Sequence, residues 1–468
     1  MSREKPTVFI SISIGWAVRN FFQTGVIDEL KKDYRIVVLT TRRIRQELER
    51  QGYASDLTFI VLDQAAESLR WRLFRELKKK VYMESRNCST EYLWEKYTRR
   101  PLYQRIGGRV IQALVRLVKP TRLLNWIESV DFKINTNKDM AGLFKKHQPL
   151  FFFATHATSF FEELLLRSAL AARIPVFFMV LSWDHLSSKI IMSRRYHTIF
   201  VWNEITNREI LETYSSYRTS QIKIVGAPQF DIYAQPPQST YQDWCKAWGL
   251  DPSRRTILFT TAPHVRHDQQ HLIVKELLDH IVRGDQLPED LQIFLKCHPF
   301  DLNPHYDAFL GTYPIAVYRP SAHIDGPQDN WVPSKEELVI GRDCLFYCAM
   351  NINIFSTVTL EAALLDKPII HIAFDPLPVK NRIPCREYYN FDHFKRVVEM
   401  DTSIMVYGYD DLFKAVILYL ENPAHKAAQR HKLAETFLSH RGRATAQLIR
   451  DVRALGDSLR GRARPAHE

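Results

Sequence analysis

The sequence predicts an α/β protein of two Rossmann-like domains facing across a cleft, with a basic helical insertion in the first domain and helices at the C-terminal end. Three observations carry this expectation. Apolar runs of strand length alternate with amphipathic stretches of helix length along most of the 468 residues, as in parallel sheets joined by crossover helices. The alternation breaks once, at GAPQFDIYAQPPQST (226–240), where Pro, Gly, Gln and Ser cluster, and restarts beyond it. A chain of this length also exceeds one ordinary hydrophobic core.

In the first half the strand candidates are Thr7–Ile14, Arg35–Thr40, Leu57–Leu62, Leu150–Thr155, Pro175–Leu181, Thr198–Trp202 and Gln221–Val225. Helices fall between them, for example over Arg19–Lys31 and Phe160–Ala172. Beyond the break, strands are expected at Thr256–Thr261, Gln292–Lys296, Ile315–Tyr318, Asn351–Phe355 and Pro368–Ile372. Helices are expected at Gln270–Val282, Lys335–Ala349 and Val358–Leu364, and the chain reads as helical after Tyr409. The expected units are therefore residues 1–230 (insertion at about 66–130), 241–408, and a helical 409–460. In open α/β sheets ligands bind outside the carboxyl ends of the strands, so chemistry is sought in the loops that follow them.

Composition narrows the classes. With 46% hydrophobic and 25% charged residues the chain is not a disordered one. No run reaches the ~20 apolar residues that cross a bilayer. The start, MSREKPTVFISISIGW, reads as a first buried strand rather than a signal peptide. Six cysteines are scattered without a CxxC pair, which suits free thiols and a cytoplasmic setting.

Two loops stand out. After the Gln292–Lys296 strand comes KCHPF, where Pro299 holds His298 in extended backbone, and an imidazole there can donate to a phosphate or leaving oxygen. In NINIFSTVTLEAALLDKP a strand runs into Ser356 and Thr357, then a helix carrying Glu361. Such hydroxyls cap a helix or meet a diphosphate, and a carboxylate one turn on reaches ribose hydroxyls. Thr261, which closes the first strand of the second half, and His264, in the loop after it, complete the donor-facing set. HVRHDQQH (His264, His267, His271) has spacing that zinc could use, but no carboxylate or Cys completes the ligand set. No metal is expected.

HP after one strand, followed by S-T-x-x-x-E-A-x-x-x-x-K-P after a later one, resembles the second domain of GT-B glycosyltransferases. The nearest likenesses are bacterial surface-polysaccharide transferases and CDP-glycerol glycerophosphotransferase-like proteins. SWDHLSSK (182–189), VWNEITNRE (201–209), IKIVGAPQFD (222–231) and the opening RNFFQTGVIDEL are similar to the first domain of that group. The resemblance spans roughly Val8 to Leu420 without the basic insertion. It implies that His298 and Pro299 meet the donor's phosphate or leaving group, that Ser356 and Thr357 hold phosphate, and that Glu361 binds ribose. It implies a metal-independent reaction with no cofactor, the nucleotide-activated donor being a substrate. The catalytic base belongs to the acceptor-holding first domain; Asp184 in SWDHLSSK is the first candidate and His156 in FFFATHATSF the second.

The net charge of +12 is uneven. Residues 70–122 hold fifteen basic against four acidic residues, an excess of eleven. Trp71, Phe74, Leu77, Val81 and Tyr82 recur there at helical spacing, as do Val110, Leu114, Leu117 and Val118. Basic amphipathic helices with aromatic residues suit an anionic bilayer surface. Since no nucleic-acid reading module accompanies the charge, the partners expected are a nucleotide-sugar donor, a glycan or lipid-linked acceptor, and the inner face of a membrane through 70–122. The sequence reading is a glycosyltransferase of surface-polysaccharide biosynthesis. Its alternatives are a CDP-glycerol-type polyol-phosphate transferase, a nonhydrolysing UDP-sugar 2-epimerase and a non-catalytic nucleotide-sugar-binding protein.

Overall fold

The computed structural model describes residues 4–62, 67–86, 88–97, 110, 113, 120–134, 138–157, 159–189, 191–320 and 331–462. Thirteen strands are found among them, in two sheets whose pairs are all parallel. The first sheet contains β1 (Thr7–Ile12), β2 (Arg35–Thr40), β3 (Thr58–Val61), β4 (Phe152–Ala154), β5 (Val176–Met179), β6 (Thr198–Val201) and β7 (Ile222–Ile224). The second contains β8 (Arg255–Thr260), β9 (Leu291–Lys296), β10 (Ile315–Tyr318), β11 (Met350–Asn353), β12 (Ile369–Ile372) and β13 (Ile404–Val406).

The strand orders are β3-β2-β1-β4-β5-β6-β7 and β10-β9-β8-β11-β12-β13. In each sheet the winding reverses once, between β1 and β4 and between β8 and β11. Such a switch point leaves a crevice at the carboxyl strand ends, because the crossovers on its two sides depart in opposite directions. The strands read as apolar runs because helices cover both faces: Phe9, Val37 and Phe152 enter one core with the insertion, while Val8, Ile10 and Val38 enter another.

The predicted helix over Arg19–Lys31 is not one helix. Gly15–Val18 passes into a π-helical turn, Arg19–Gln23, and a new helix, Val26–Leu30, starts after Gly25 at φ +79°. A wider π turn shifts every later side chain around the axis, and Arg19 opens this one.

The segment 226–240 contains a 3-10 helix, Pro228–Ala234, held on both sides. The Asp231 carboxylate accepts from the amides of Ala444 (3.0 Å) and Thr445 (2.7 Å), satisfying the start of the last helix, Ala444–Arg462. Leu448, Ile449 and Val452 of that helix pack into the first domain with Val8 and Ile10. Helix Tyr409–Glu421 instead packs in the second domain through Leu412, Phe413 and Val416.

Between β3 and β4 the insertion forms helices Leu69–Ser85, Ser89–Tyr97, Pro120–Ile134 and Lys138–His147. Its apolar stripe is not free to meet a bilayer: Trp71, Val81 and Tyr82 are buried, and Phe74 and Leu77 pack on the first-domain core. The stripe at Leu114, Leu117 and Val118 lies outside the described residues. Helix Ser89–Tyr97 reaches across to the second domain, where Leu93 packs with Ile383, Tyr388 and Phe391. All six cysteines are buried and free. Among the described residues no helix is long and apolar enough to cross a membrane.

Candidate functional site

The two switch points open into one cavity of about 480 Å³. Its walls are the segments that leave β1, β4, β5, β8, β9 and β11, joined by Trp331, Tyr388, His393 and Phe394. Eight of the nine residues singled out in the sequence line it: His156, Asp184, Thr261, His298, Pro299, Ser356, Thr357 and Glu361.

His264 does not line it. The chain turns at Pro263, whose carbonyl accepts from the amides of Arg266 (2.8 Å) and His267 (3.2 Å). The turn puts His264 and Val265 in solvent and returns Arg266 to the cavity wall. Nor do the three histidines of that segment converge: His267 is buried against the Phe374 carbonyl (3.4 Å), and His271 stacks on His305 with centroids 4.4 Å apart. No His/Cys/Asp/Glu group able to hold a metal is found among the described residues.

On the second-domain side, the HP loop is braced. The Thr261 hydroxyl accepts the His298 amide (2.8 Å), so Thr261 positions the loop. The Phe300 amide donates to His298 Nδ1 (3.0 Å), which leaves the ring proton of the neutral imidazole on Nε2. After β11, Phe355 takes a left-handed backbone (φ +47°), costly for a bulky residue. Its ring packs among Tyr388, Phe391 and Phe394, which hold it there. Ser356 Oγ accepts from the Val358 amide (3.3 Å). Thr357 makes no cap; its hydroxyl accepts from Trp183 Nε1 across the cleft (3.2 Å). Glu361 accepts the Tyr233 hydroxyl (2.6 Å).

On the first-domain side, Asp184 is 6% exposed and accepts from Ser182 Oγ (2.6 Å). His156 is 8% exposed, directly beyond β4. Arg19 lies over the Trp16 ring at 4.5 Å, and Trp16 meets Trp331 edge-on at 5.2 Å. Burial pushes the Arg19 guanidinium down to about 10, against the opposing pull of Glu361 and Tyr233. Its Nε is buried with no hydrogen-bond partner among the described residues.

Sequence reasoning missed the charge of this cavity. Arg19, Arg266 and Lys296 line it as cations, against two carboxylates, Asp184 and Glu361. The Arg266 guanidinium lies 5.8 Å from the Tyr388 ring centroid. Lys296 directly precedes the HP loop, and Arg19 opens RNFFQTGVIDEL, so both stood inside quoted motifs. What marks them is the meeting of two sheets, which no local pattern displays. A half-closed cavity whose lining cations outnumber its carboxylates attracts an anion, because low dielectric strengthens each interaction.

No protein-family model and no curated protein matches the chain. Among solved structures, a candidate UDP-N-acetylglucosamine 2-epimerase from Listeria monocytogenes aligns over 97% of this chain and 98% of its own, with TM-score 0.57 and 12% identity. A UDP-GlcNAc 2-epimerase from Neisseria meningitidis bound to UDP-GlcNAc aligns over 96% and 100%, with TM-score 0.54 and 12% identity. The UDP-GlcNAc 2-epimerase from Methanocaldococcus jannaschii aligns over 96% and 99%, with TM-score 0.52 and 13% identity. At such identity the likeness carries the fold alone, a GT-B-like pair of Rossmann-like domains.

Proposed function

We propose that this chain is a GT-B-type glycosyltransferase moving a sugar from a nucleotide-activated donor to a hydroxyl of a glycan or lipid-linked acceptor in surface-polysaccharide assembly. The observation that carries the reading is the single cavity at the joined switch points with its cation set. Arg19, Arg266, Lys296 and the Nε2–H of His298 meet the diphosphate, and its charge grows as the bond to the sugar breaks. The Ser356 and Thr357 hydroxyls complete that contact, and Glu361 takes the ribose. Asp184 is the first base for the acceptor hydroxyl and His156 the second. The three cations supply the neutralisation that a divalent ion gives elsewhere, so turnover is expected to survive EDTA. The site is expected to work in the cytoplasm. Leu69 and Leu73, 68% and 61% exposed beside exposed Arg70 and Arg72, favour contact with an anionic inner leaflet.

The epimerase reading is kept because enzymes of that activity share the fold and two of the three structures above belong to it without qualification. For that reading Asp184 is the one carboxylate that the first domain brings to the cavity among the described residues, with His156 and His185 as further proton carriers. Inverting a sugar carbon needs groups that remove a proton and return it on the other face.

A thermal-shift screen against UDP, GDP, CDP, CMP and ADP, with and without magnesium, comes first. A nucleotide that stabilises the protein names the donor class. The matching nucleotide sugar is then followed by NMR without acceptor. Appearance of its C2 epimer overturns the transferase reading, and so does the absence of a shift with every nucleotide; binding with no product from any acceptor would assign the non-catalytic class. Release of CMP with transfer of a polyol phosphate would assign the CDP-alcohol chemistry. His298→Ala should leave the fold intact and cut turnover by about 10²–10³, the cost of one lost oxyanion donor.

A further inference from the structure

A second cavity, of about 370 Å³, lies between the insertion and the first domain. Its walls come from helices Leu69–Ser85 and Pro120–Ile134, helix Phe160–Ala171 and the segment 191–196. His156 lines this cavity and the cleft alike, so it stands between the two spaces. Asp184 lines the cleft only.

The walls say what the space would take. Three of its four cations are already held in ion pairs: Arg75 with Glu67 (3.0 Å), Lys78 with Asp131 (2.9 Å) and Glu163 (3.2 Å), and Arg194 with Glu128 (3.7 Å). Lys79 alone is in no ion pair among the described residues. Acids and bases thus nearly cancel, which disfavours an anion and leaves a mosaic of donors and acceptors. Among these polar groups Trp71, Tyr196 and Tyr214 also line the space, their rings packed on Phe160, Phe178 and Tyr82. A near-neutral lining rich in donors and acceptors fits a sugar ring, whose hydroxyls lie around its edge.

One donor is left open. The Arg194 side chain is 6% exposed, and its Nη1 donates to Asn125. Its Nη2 is buried with no hydrogen-bond partner among the described residues. An unsatisfied buried donor is costly, and a ligand oxygen that reached it would remove the cost. The volume of about 370 Å³ is enough for a sugar ring with its hydroxyls.

We propose that this cavity is the acceptor subsite, taking one neutral, polyhydroxylated sugar residue whose attacking hydroxyl emerges beside His156. The proposal rests on the transferase reading and sharpens it. The acceptor oxygen bonds to the anomeric carbon, and the carbon–oxygen bond to the donor phosphate breaks. The electron pair leaves with the nucleotide, and the acceptor proton passes to His156 rather than to Asp184. The basic insertion then has a role in the chemistry: it forms one wall of the acceptor's pocket.

Saturation-transfer NMR with the full-length protein tests this, using methyl glucoside, methyl galactoside and methyl N-acetylglucosaminide, with glucuronate and glucose 6-phosphate as anionic comparators. Each is measured with the stabilising nucleotide present. The expected result is transfer to a neutral glycoside, reduced at least tenfold in Leu166→Phe, which fills the space, and in Arg194→Lys, which removes the open donor but keeps the charge. Both variants should keep the nucleotide-induced thermal shift, which shows that they fold and that the donor site stands. Transfer to the anionic sugars alone, unchanged transfer in both variants, or no transfer while the nucleotide still binds would overturn the subsite. Failure of every nucleotide to bind would instead strike the transferase reading on which it rests.

Discussion

Glu162 offers a test of the structure that needs no ligand. It is the third residue of helix Phe160–Ala171 and is 2% exposed. Its oxygens accept from Ser11 Oγ and Ser13 Oγ, both at 2.6 Å, at the end of β1. Burial raises its carboxyl from 4.5 to about 7, the two serine hydrogen bonds pulling the other way. The unfolded chain therefore ionises this group at a pH where the folded chain still holds the proton. Folding binds a proton across that window, so the contribution is fully present below about pH 4.5 and is lost as pH rises through about 7. At 1.36 kcal/mol per unit the span is worth about 3 kcal/mol. Glu162→Gln is uncharged throughout and removes this slope. Ser11 is committed, because its Oγ also accepts the Thr155 amide (3.2 Å); the new amide group should therefore face Ser13, whose hydroxyl can turn to accept it.

The measurement is differential scanning calorimetry of wild type and Glu162→Gln from pH 4.5 to 8, taking the transition that contains the first domain. Comparing the two proteins at each pH cancels every other titrating group. Since 1 kcal/mol moves the Tm of a domain of this size by about 2–4 °C, the gap between them should change by about 6–12 °C over the range, in favour of the variant at high pH. Parallel curves would mean that Glu162 titrates normally, and would refute both its burial and the packing of β1 against this helix.

Three further outcomes follow from single contacts. Arg19→Gln removes a buried cation from the cleft and should weaken nucleotide binding by about 10- to 100-fold, the worth of a hydrogen bond to a charged group; calorimetric titration reads it, and unchanged affinity would remove Arg19 from the phosphate contact. Asp392→Ala unties the insertion from the second domain, since that carboxylate accepts from the Ser89 and Thr90 amides (3.2 and 2.9 Å) and from Thr90 Oγ1 (2.7 Å). Loss of such a helix-start acceptor costs about 1–2 kcal/mol, and amide exchange over residues 89–97 should accelerate while exchange in β1 stays slow. Gly226→Ala forces a β-carbon to within 2.2 Å of the Ser439 carbonyl at φ +82°; a loss of at least about 1–3 kcal/mol in thermal denaturation is expected from strained backbone alone.

The parts legible in the sequence are those whose cause is local. A strand such as β2 could be bounded to the residue because a parallel strand covered on both faces is an apolar run. β13 was missed because Ile404 and Met405 are only half-buried at a sheet edge, and three residues carry no readable period. The Arg19–Lys31 helix was read through its break because Phe21, Phe22, Val26, Ile27 and Leu30 keep nearly helical spacing across it, while the π turn is a property of hydrogen bonding that spacing does not report. The same limit governs Trp71, Val81 and Tyr82: periodicity establishes that one face is apolar, and it cannot say whether protein or lipid covers that face. At the site, His298 and Ser356 were found because a strand end followed by Pro or by hydroxyls is a local signal. Arg266 was passed over in favour of His264, two residues earlier, and one turn at Pro263 decides which of them reaches the cavity. Chemistry that depends on where two sheets meet is therefore written in the chain but not readable from it, and the cation set, the His156 junction and the open Arg194 donor are all of that kind.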